Sequence, residues 1–300
     1  MTSDGPAGID YSLPGPLTDL TRHSNDLADL PDSLAGLVAA LQGWIVHPFH
    51  AHRYGLSVPE RGQAELQTRA SDAALTCIQQ LDERPLDSPR PVDRRMIGNC
   101  RHFTSMLTAL LRQRGVAARA RCGFGAYFDP GKYADHWVCE VRDPKTGRWH
   151  LVDAQIDAVQ RRDLERIDFD TLDVPRDQFW VAGQAWLACR RGDIDPLSCG
   201  ILDMWGLWFV RGNLLRDLAA LNKLELLPWD VWGLMQPDDD ALGEKEWALL
   251  DHIAELTTAN EIDARAVQQI YERESELRVP ATLESWVDGK PRSETIPQLA

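Results

Sequence analysis

The residues Gly98–Gly115, GNCRHFTSMLTALLRQRG, decide how the rest of the chain is read. Asn99 is a strong N-cap residue, which puts Cys100 at the first helical position. Phe103, Met106, Leu107, Leu110 and Leu111 recur at helical spacing and form one apolar face. Gly115 suits the C-terminal stop. At a helix start the macrodipole favours a thiolate, but the same position also accepts any small residue. The segments that follow decide between these readings.

Directly after this helix the apolar period changes from about 3.6 to 2. In AARARCGFGAYF, Ala118, Ala120, Cys122, Phe124, Ala126 and Phe128 fall on one face of a strand. Arg119, Arg121, Gly123, Gly125 and Tyr127 fall on the other. DPGKY reads as a turn, and DHWVCEVR and GRWHLVDAQ as two more strands joined by DPKT. With residues 143–146 as a four-residue loop, Arg142 faces Gly147. His136 then faces Asp153 as a direct cross-strand pair, with Cβ atoms roughly 4.5–5.5 Å apart. A slip of one residue would undo that pairing.

A histidine held by a carboxylate has a fixed tautomer and a stabilised imidazolium. Beside a cysteine at a helix N-terminus, these are the parts of a thiol acyl-transfer site. The thiolate attacks an acyl carbon, and the histidine protonates the leaving group and then activates the acceptor. The backbone N–H of Cys100 is one candidate oxyanion donor.

GNCRHFTSMLTALLRQRGVAARARCGFGAYF followed by DHWVCEVRDPKTGRWHLVDAQID resembles the transglutaminase-like superfamily. The resemblance rests on the ordered set G-x-x-A-R, H-W-x-x-E and W-x-x-x-D after the cysteine helix, and covers roughly residues 93–160. It implies Cys100 as nucleophile, His136 as general base and acid, and Asp153 as its orienting partner. The superfamily's chemistry is broad: peptide hydrolysis, deamidation, deglycosylation, amide formation and crosslinking. The resemblance therefore speaks to mechanism more than to substrate.

The 300 residues carry a net charge of −14 and a sequence pI of about 5.0. Such a surface repels phosphate backbones and argues against nucleic-acid binding. The N-terminus lacks a basic region followed by an apolar one, so no secretory signal is expected. The most apolar window, ILDMWGLWFVRGNLL, is interrupted by Asp203 and Arg211 and is shorter than the ~20 residues of a membrane span. Six cysteines occur without a CxxC pair, which favours reduced thiols and a cytoplasmic location.

Elsewhere the sequence predicts a loose lead-in to about residue 17, a helix across Leu34–Ile45 and one helix through Val58–Leu81. A proline-rich connection follows. After Asp173 the chain reads as mainly helical, with PDDDALGEKE as a solvated acidic loop. His47, His50 and His52 suggest a metal site, but Pro48 interrupts the spacing and no further ligand follows at a known distance. A loop lining the acyl site, together with Trp44, is the other functional reading. Arg101 is a candidate substrate-side charge or a surface ion pair, and His102 a structural or wall residue. Cys122 and Cys139 read as packing. Trp205, Trp208, Trp229 and Trp232 read mostly as core. Arg211, Asn213 and Arg216 read as a solvated helix face with ion pairs, or as an anion site.

The expected fold is α+β: a small antiparallel sheet packed on the nucleophile helix, with helical N- and C-terminal extensions. The expected division is 1–92 N-terminal extension, 93–170 catalytic core and 171–300 C-terminal region, forming one compact unit. The expected function is a cysteine-dependent acyl-transfer enzyme without metal or organic cofactor. It would act on an amide- or peptide-containing substrate through a thioester, with water or an amine as acceptor. The alternative is a non-catalytic binding or scaffold protein on the same fold.

Overall fold

The computed structural model describes residues 8–299 apart from 165, 240 and 260. The start of the expected lead-in and Asp240 of the acidic loop thus lie outside the described residues. The fold is mixed α+β. The chain divides into two compact units where the sequence suggests one. The first comprises Tyr11–Ala120 and Trp137–Pro175. The second comprises Arg121–His136 and the described residues from Arg176 onward, with the described residues up to Asp10.

The first unit begins with α1 (Leu34–Trp44), capped by Ser33, whose hydroxyl accepts the Gly36 N–H. The chain passes straight from α1 into β1 (Ile45–Val46), so the expected helix ends one residue early. The single helix expected through Val58–Leu81 is two: α2 (Gly62–Glu65) and α3 (Ser71–Leu81). The break has a cause in the cysteine helix. The buried Arg101 guanidinium donates to the carbonyls of Thr68 and Arg69, and the Ser71 N–H goes to Leu17 O, which leaves Ala70 extended.

Then come β2 (Met96–Ile97), parallel to β1, and the cysteine helix α4 (Cys100–Gln113). Phe103, Met106, Leu107, Leu110 and Leu111 pack into a core with Leu37, Leu41, Trp44, Leu75 and Ile78 of α1 and α3. That face is the one the spacing predicts. Gly115 ends the segment at φ +69°, a conformation that suits glycine.

Two strands follow, β3 (Ala118–Gly125) and β4 (Tyr133–Arg142), and each runs through both units. β3 is buried on both faces because its arginines are neutralised. In the first unit Arg119 pairs with Glu140 at 2.7 Å and lies over the Trp149 ring. β5 (Trp149–Val152) pairs antiparallel with the far half of β4, and α5 (Ala158–Asp163) closes this unit.

In the second unit, β6 (Phe179–Val181) pairs antiparallel with Gly123–Gly125, and α6 (Ala182–Arg191) follows. β7 (Cys199–Ile201) pairs with Tyr133 and Ala134 in parallel, so the strands at β4 are not all antiparallel. β8 (Met204–Trp205) turns back on β7 and leads into the buried helix α7 (Leu207–Leu221). There Asp217 pairs with Arg121 at 2.8 Å and also accepts the Cys122 N–H. The remaining elements are β9 (Asp230–Val231), α8 (Glu244–Thr258), α9 (Ala264–Arg273), β10 (Thr282–Val287) and β11 (Lys290–Thr295). β9, β10 and β11 form a three-stranded sheet, so the C-terminal region is less purely helical than its sequence suggests. Among the described residues no helix is long and apolar enough to cross a membrane.

Candidate active site

Cys100 is the first residue of α4, as its N-cap predicts. Asn99 and His102 close a capping box: the Asn99 side chain accepts the His102 N–H, and His102 Nδ1 accepts the Asn99 N–H at 3.2 Å. His102 therefore holds the turn that presents Cys100. Burial, reinforced by the Arg101 charge, depresses its pKa to about 3, so the ring is neutral at physiological pH.

The approach to this turn is built by β1 and β2. Ile45 stands across from Met96 and Val46 across from Ile97, and Gly98 donates to Val46 O at 3.1 Å. A Cβ on Gly98 would lie 2.8 Å from Ile45 Cγ2 and 3.0 Å from His102 Cβ. Glycine is needed there for close approach. Below, the buried Glu65 carboxylate accepts the Ile97 N–H at 2.7 Å and pairs with Arg61 at 2.8 Å.

Asp153 lies immediately after β5 and is 1% exposed. Its N–H goes to Thr171 O and its carboxylate accepts the Gln155 N–H at 3.0 Å. The β4–β5 register differs from the expected one: Arg142 faces Trp149, not Gly147. The loop has the expected length but sits one residue later. Asp143 stays in the hairpin by donating to Arg148 O, its side chain caps Lys145 and Thr146, and Gly147 takes the left-handed turn at φ +73°. Continuing that register brings Asp153 across from Val138. The expected direct pairing of His136 with Asp153 is therefore corrected by the register of this hairpin.

His136 belongs to the second unit. Its ring is edge-on to Tyr127 and Phe128, at 5.9 and 4.9 Å between centroids, and Phe179 lies at 6.3 Å. Asp135 beside it is buried and accepts a hydrogen bond from Asn213 at 2.8 Å. Burial pushes the Asp135 carboxyl up, against the opposing effects of Asn213 and Arg216. Arg216 donates to Asn213 and to Asp230 O, and Arg211 pairs with Asp239. The α7 residues are thus a buried network, and the expected solvated face is corrected. The tryptophans divide: Trp232 is buried, whereas Trp205, Trp208 and Trp229 are half-buried.

His47, His50 and His52 fall on a 3-10 segment, Pro48–Tyr54, which His47 caps through Nδ1 to the Phe49 N–H. Among the described residues, no three His, Cys, Asp or Glu side chains are grouped to hold a metal ion. The segment is tied instead to the turn after Asp153. The Tyr54 hydroxyl accepts from Gln160, Gln160 joins Gln155, and Arg53 pairs with Asp163. Trp44 is committed elsewhere, donating to Leu86 O at 2.9 Å. Arg101 is buried against backbone carbonyls, which corrects both expectations for it. Nothing local marks the Glu65 and Gln155–Gln160 supports, because ordinary polar residues in a buried network carry no sequence pattern.

Residues 69–154 match the family model of the transglutaminase-like superfamily. That segment, under a third of the chain, is similar to the core of that superfamily. A solved structure described as "a Putative Cysteine Protease from Cytophaga hutchinsonii" is similar at 14% identity and a TM-score of 0.31, over 48% of this chain. This chain spans 40% of that one. No curated protein matches.

Proposed function

We propose that the protein is a cysteine-dependent acyl-transfer enzyme with Cys100 as nucleophile, His136 as general base and acid, and Asp153 as the residue that orients His136. The observation carrying this reading is the placement of Cys100 at the first position of α4 behind a closed capping box, within a matched segment that also contains His136 and Asp153 in order. Attack on an amide or peptide carbonyl forms the S–C bond. His136 protonates the departing amine, and water activated by the same ring then hydrolyses the thioester. Hydrolysis is preferred over an amine acceptor because the latter needs a second dedicated pocket. No metal or organic cofactor takes part in these steps.

The test is the pH dependence of Cys100 alkylation by iodoacetamide, read by mass spectrometry in the wild type and His136→Ala. The expected result is alkylation of Cys100 far faster than that of Cys77 at neutral pH, lost in the variant. A Cys100 no more reactive than Cys77, in wild type and variant alike, would transfer the fold to the binding-protein reading.

A further inference from the structure

Two cysteines of the second unit, both free thiols, meet. Cys189 lies in the last turn of α6, and Cys199 opens β7. Their side chains hydrogen-bond to each other. We propose that Cys189 and Cys199 form a dithiol site that a peroxide oxidises to a disulfide, separate from Cys100.

The chain is bent to bring them together. Gly192 ends α6 in the left-handed region at φ +76°, where its N–H goes to Cys189 O at 3.1 Å and the Asp193 N–H to Ala188 O at 2.9 Å. Asp195 then turns the chain back. Its carboxylate accepts the Leu197 N–H at 2.9 Å, and its carbonyl the Ser198 N–H at 2.8 Å. Cys199 is fixed by pairing with Tyr133 and by the Gly206 N–H, which reaches its carbonyl at 3.2 Å. Both backbones are thus held while the two thiols are aimed at each other, the condition a disulfide sets.

Within the pair the proton stays with Cys189. The bond to Cys199, together with burial, pushes the Cys189 thiol up. The same bond pulls the Cys199 thiol down against burial and the Asp195 charge, helped by the Ser198 hydroxyl, 3.9 Å from Sγ, and by Lys132. The thiolate is the form that attacks. Cys199 is 0% exposed and Cys189 8%, beside the exposed residues 190–193, which admits a small oxidant and shuts out a bulky one.

The Cys199 sulfur takes one peroxide oxygen as the O–O bond breaks. The other oxygen leaves as water, with the Cys189 proton. The Cys189 thiolate then attacks the sulfenic sulfur. The S–S bond forms, the S–O bond breaks, and hydroxide leaves, taking up from solvent the proton that Cys199 released. Two thiols and one hydrogen peroxide give one disulfide and two waters. The bond ties α6 to the strand that pairs with Tyr133 and Ala134, on the part of β4 that ends in this unit at His136.

The sequence supplies the readout. Trypsin cuts after Arg190 and Arg191, so Cys189 falls in peptide 177–190 and Cys199 in 192–211, each without another cysteine. Cys100 falls in 96–101 and is read apart. The reduced wild type is treated with rising hydrogen peroxide, alkylated, digested and read by mass spectrometry, with and without dithiothreitol. Met204, exposed and in the same peptide, gauges the dose as its sulfoxide. The expected result is that most of 177–190 and 192–211 is linked before Met204 gains oxygen, and that dithiothreitol separates them.

Both thiols intact once Met204 is oxidised would overturn the proposal. So would separate gain of oxygen at the two sulfurs, or linkage of either to a different cysteine. This measurement needs no variant, so it does not depend on the folding of one. In Cys189→Ser, Cys199 is expected to gain oxygen faster than Cys189 does in Cys199→Ser. The opposite order would overturn Cys199 as the attacking sulfur.

Discussion

Asn99 and His102 hold each other's backbone: His102 Nδ1 accepts the Asn99 N–H at 3.2 Å, and the Asn99 side chain accepts the His102 N–H. Because burial depresses the His102 pKa to about 3, the folded state resists protonating a ring that the unfolded chain protonates near 6.5. The unfolded state thus binds more protons below 6.5. Stability is full above that pH and falls by about 1.4 kcal/mol per pH unit at most as pH drops toward about 3. His102→Gln preserves a capping-box residue and lacks this titration. Between pH 7 and pH 5, wild type is expected to lose about 2 kcal/mol relative to the variant in urea unfolding. Parallel losses in the two proteins would refute the assignment.

Glu65 titrates in the opposite sense to an ordinary ion-paired carboxylate. Burial raises its pKa above the usual 4.5, despite the Ile97 N–H and Arg61. The folded state therefore binds more protons than the unfolded one between the two values, and the Glu65 contribution weakens as pH rises through that window. Glu65→Gln keeps an acceptor for Ile97. Its melting temperature relative to wild type is expected to rise as pH goes from 4 to 7, measured by thermal unfolding at each pH.

Gly98→Ala tests the close approach of β1 to the turn that precedes Cys100. The added methyl must displace Ile45 Cγ2 and His102 Cβ. The expected cost is about 1–3 kcal/mol, with slower alkylation of Cys100 in the folded protein. Wild-type stability and reactivity would show that the turn yields without consequence.

Asp217→Ala removes the carboxylate from a buried guanidinium. The Arg121 guanidinium keeps its bond to Thr257 O but loses this carboxylate, as does the Cys122 N–H. Breaking such a pair costs about 3–5 kcal/mol. An isothermal unfolding midpoint within error of wild type would contradict the accounting.

The cysteine helix α4 is legible in the sequence because its cap, apolar spacing and stop are all local signals. The alternation that marks β3 and the period change before it are local too. Register was not. Asp143 could equally open the loop or remain paired, and its own side chain settles the matter by capping the turn. The division of the second helix depended on Arg101, thirty residues away in sequence, reaching the carbonyls of Thr68 and Arg69. The buried α7 network looked like a solvated face because a sequence shows charges but not the charges that answer them.

The buried pairs also separate what is recognisable from what can fold. The stretch 69–154 contains Arg121, whose partner is Asp217, and Arg112, which donates to Thr18. Excised at those limits, it would carry both guanidiniums without those partners. A fragment cut to the matched residues would thus open to water two guanidiniums that the whole chain keeps buried.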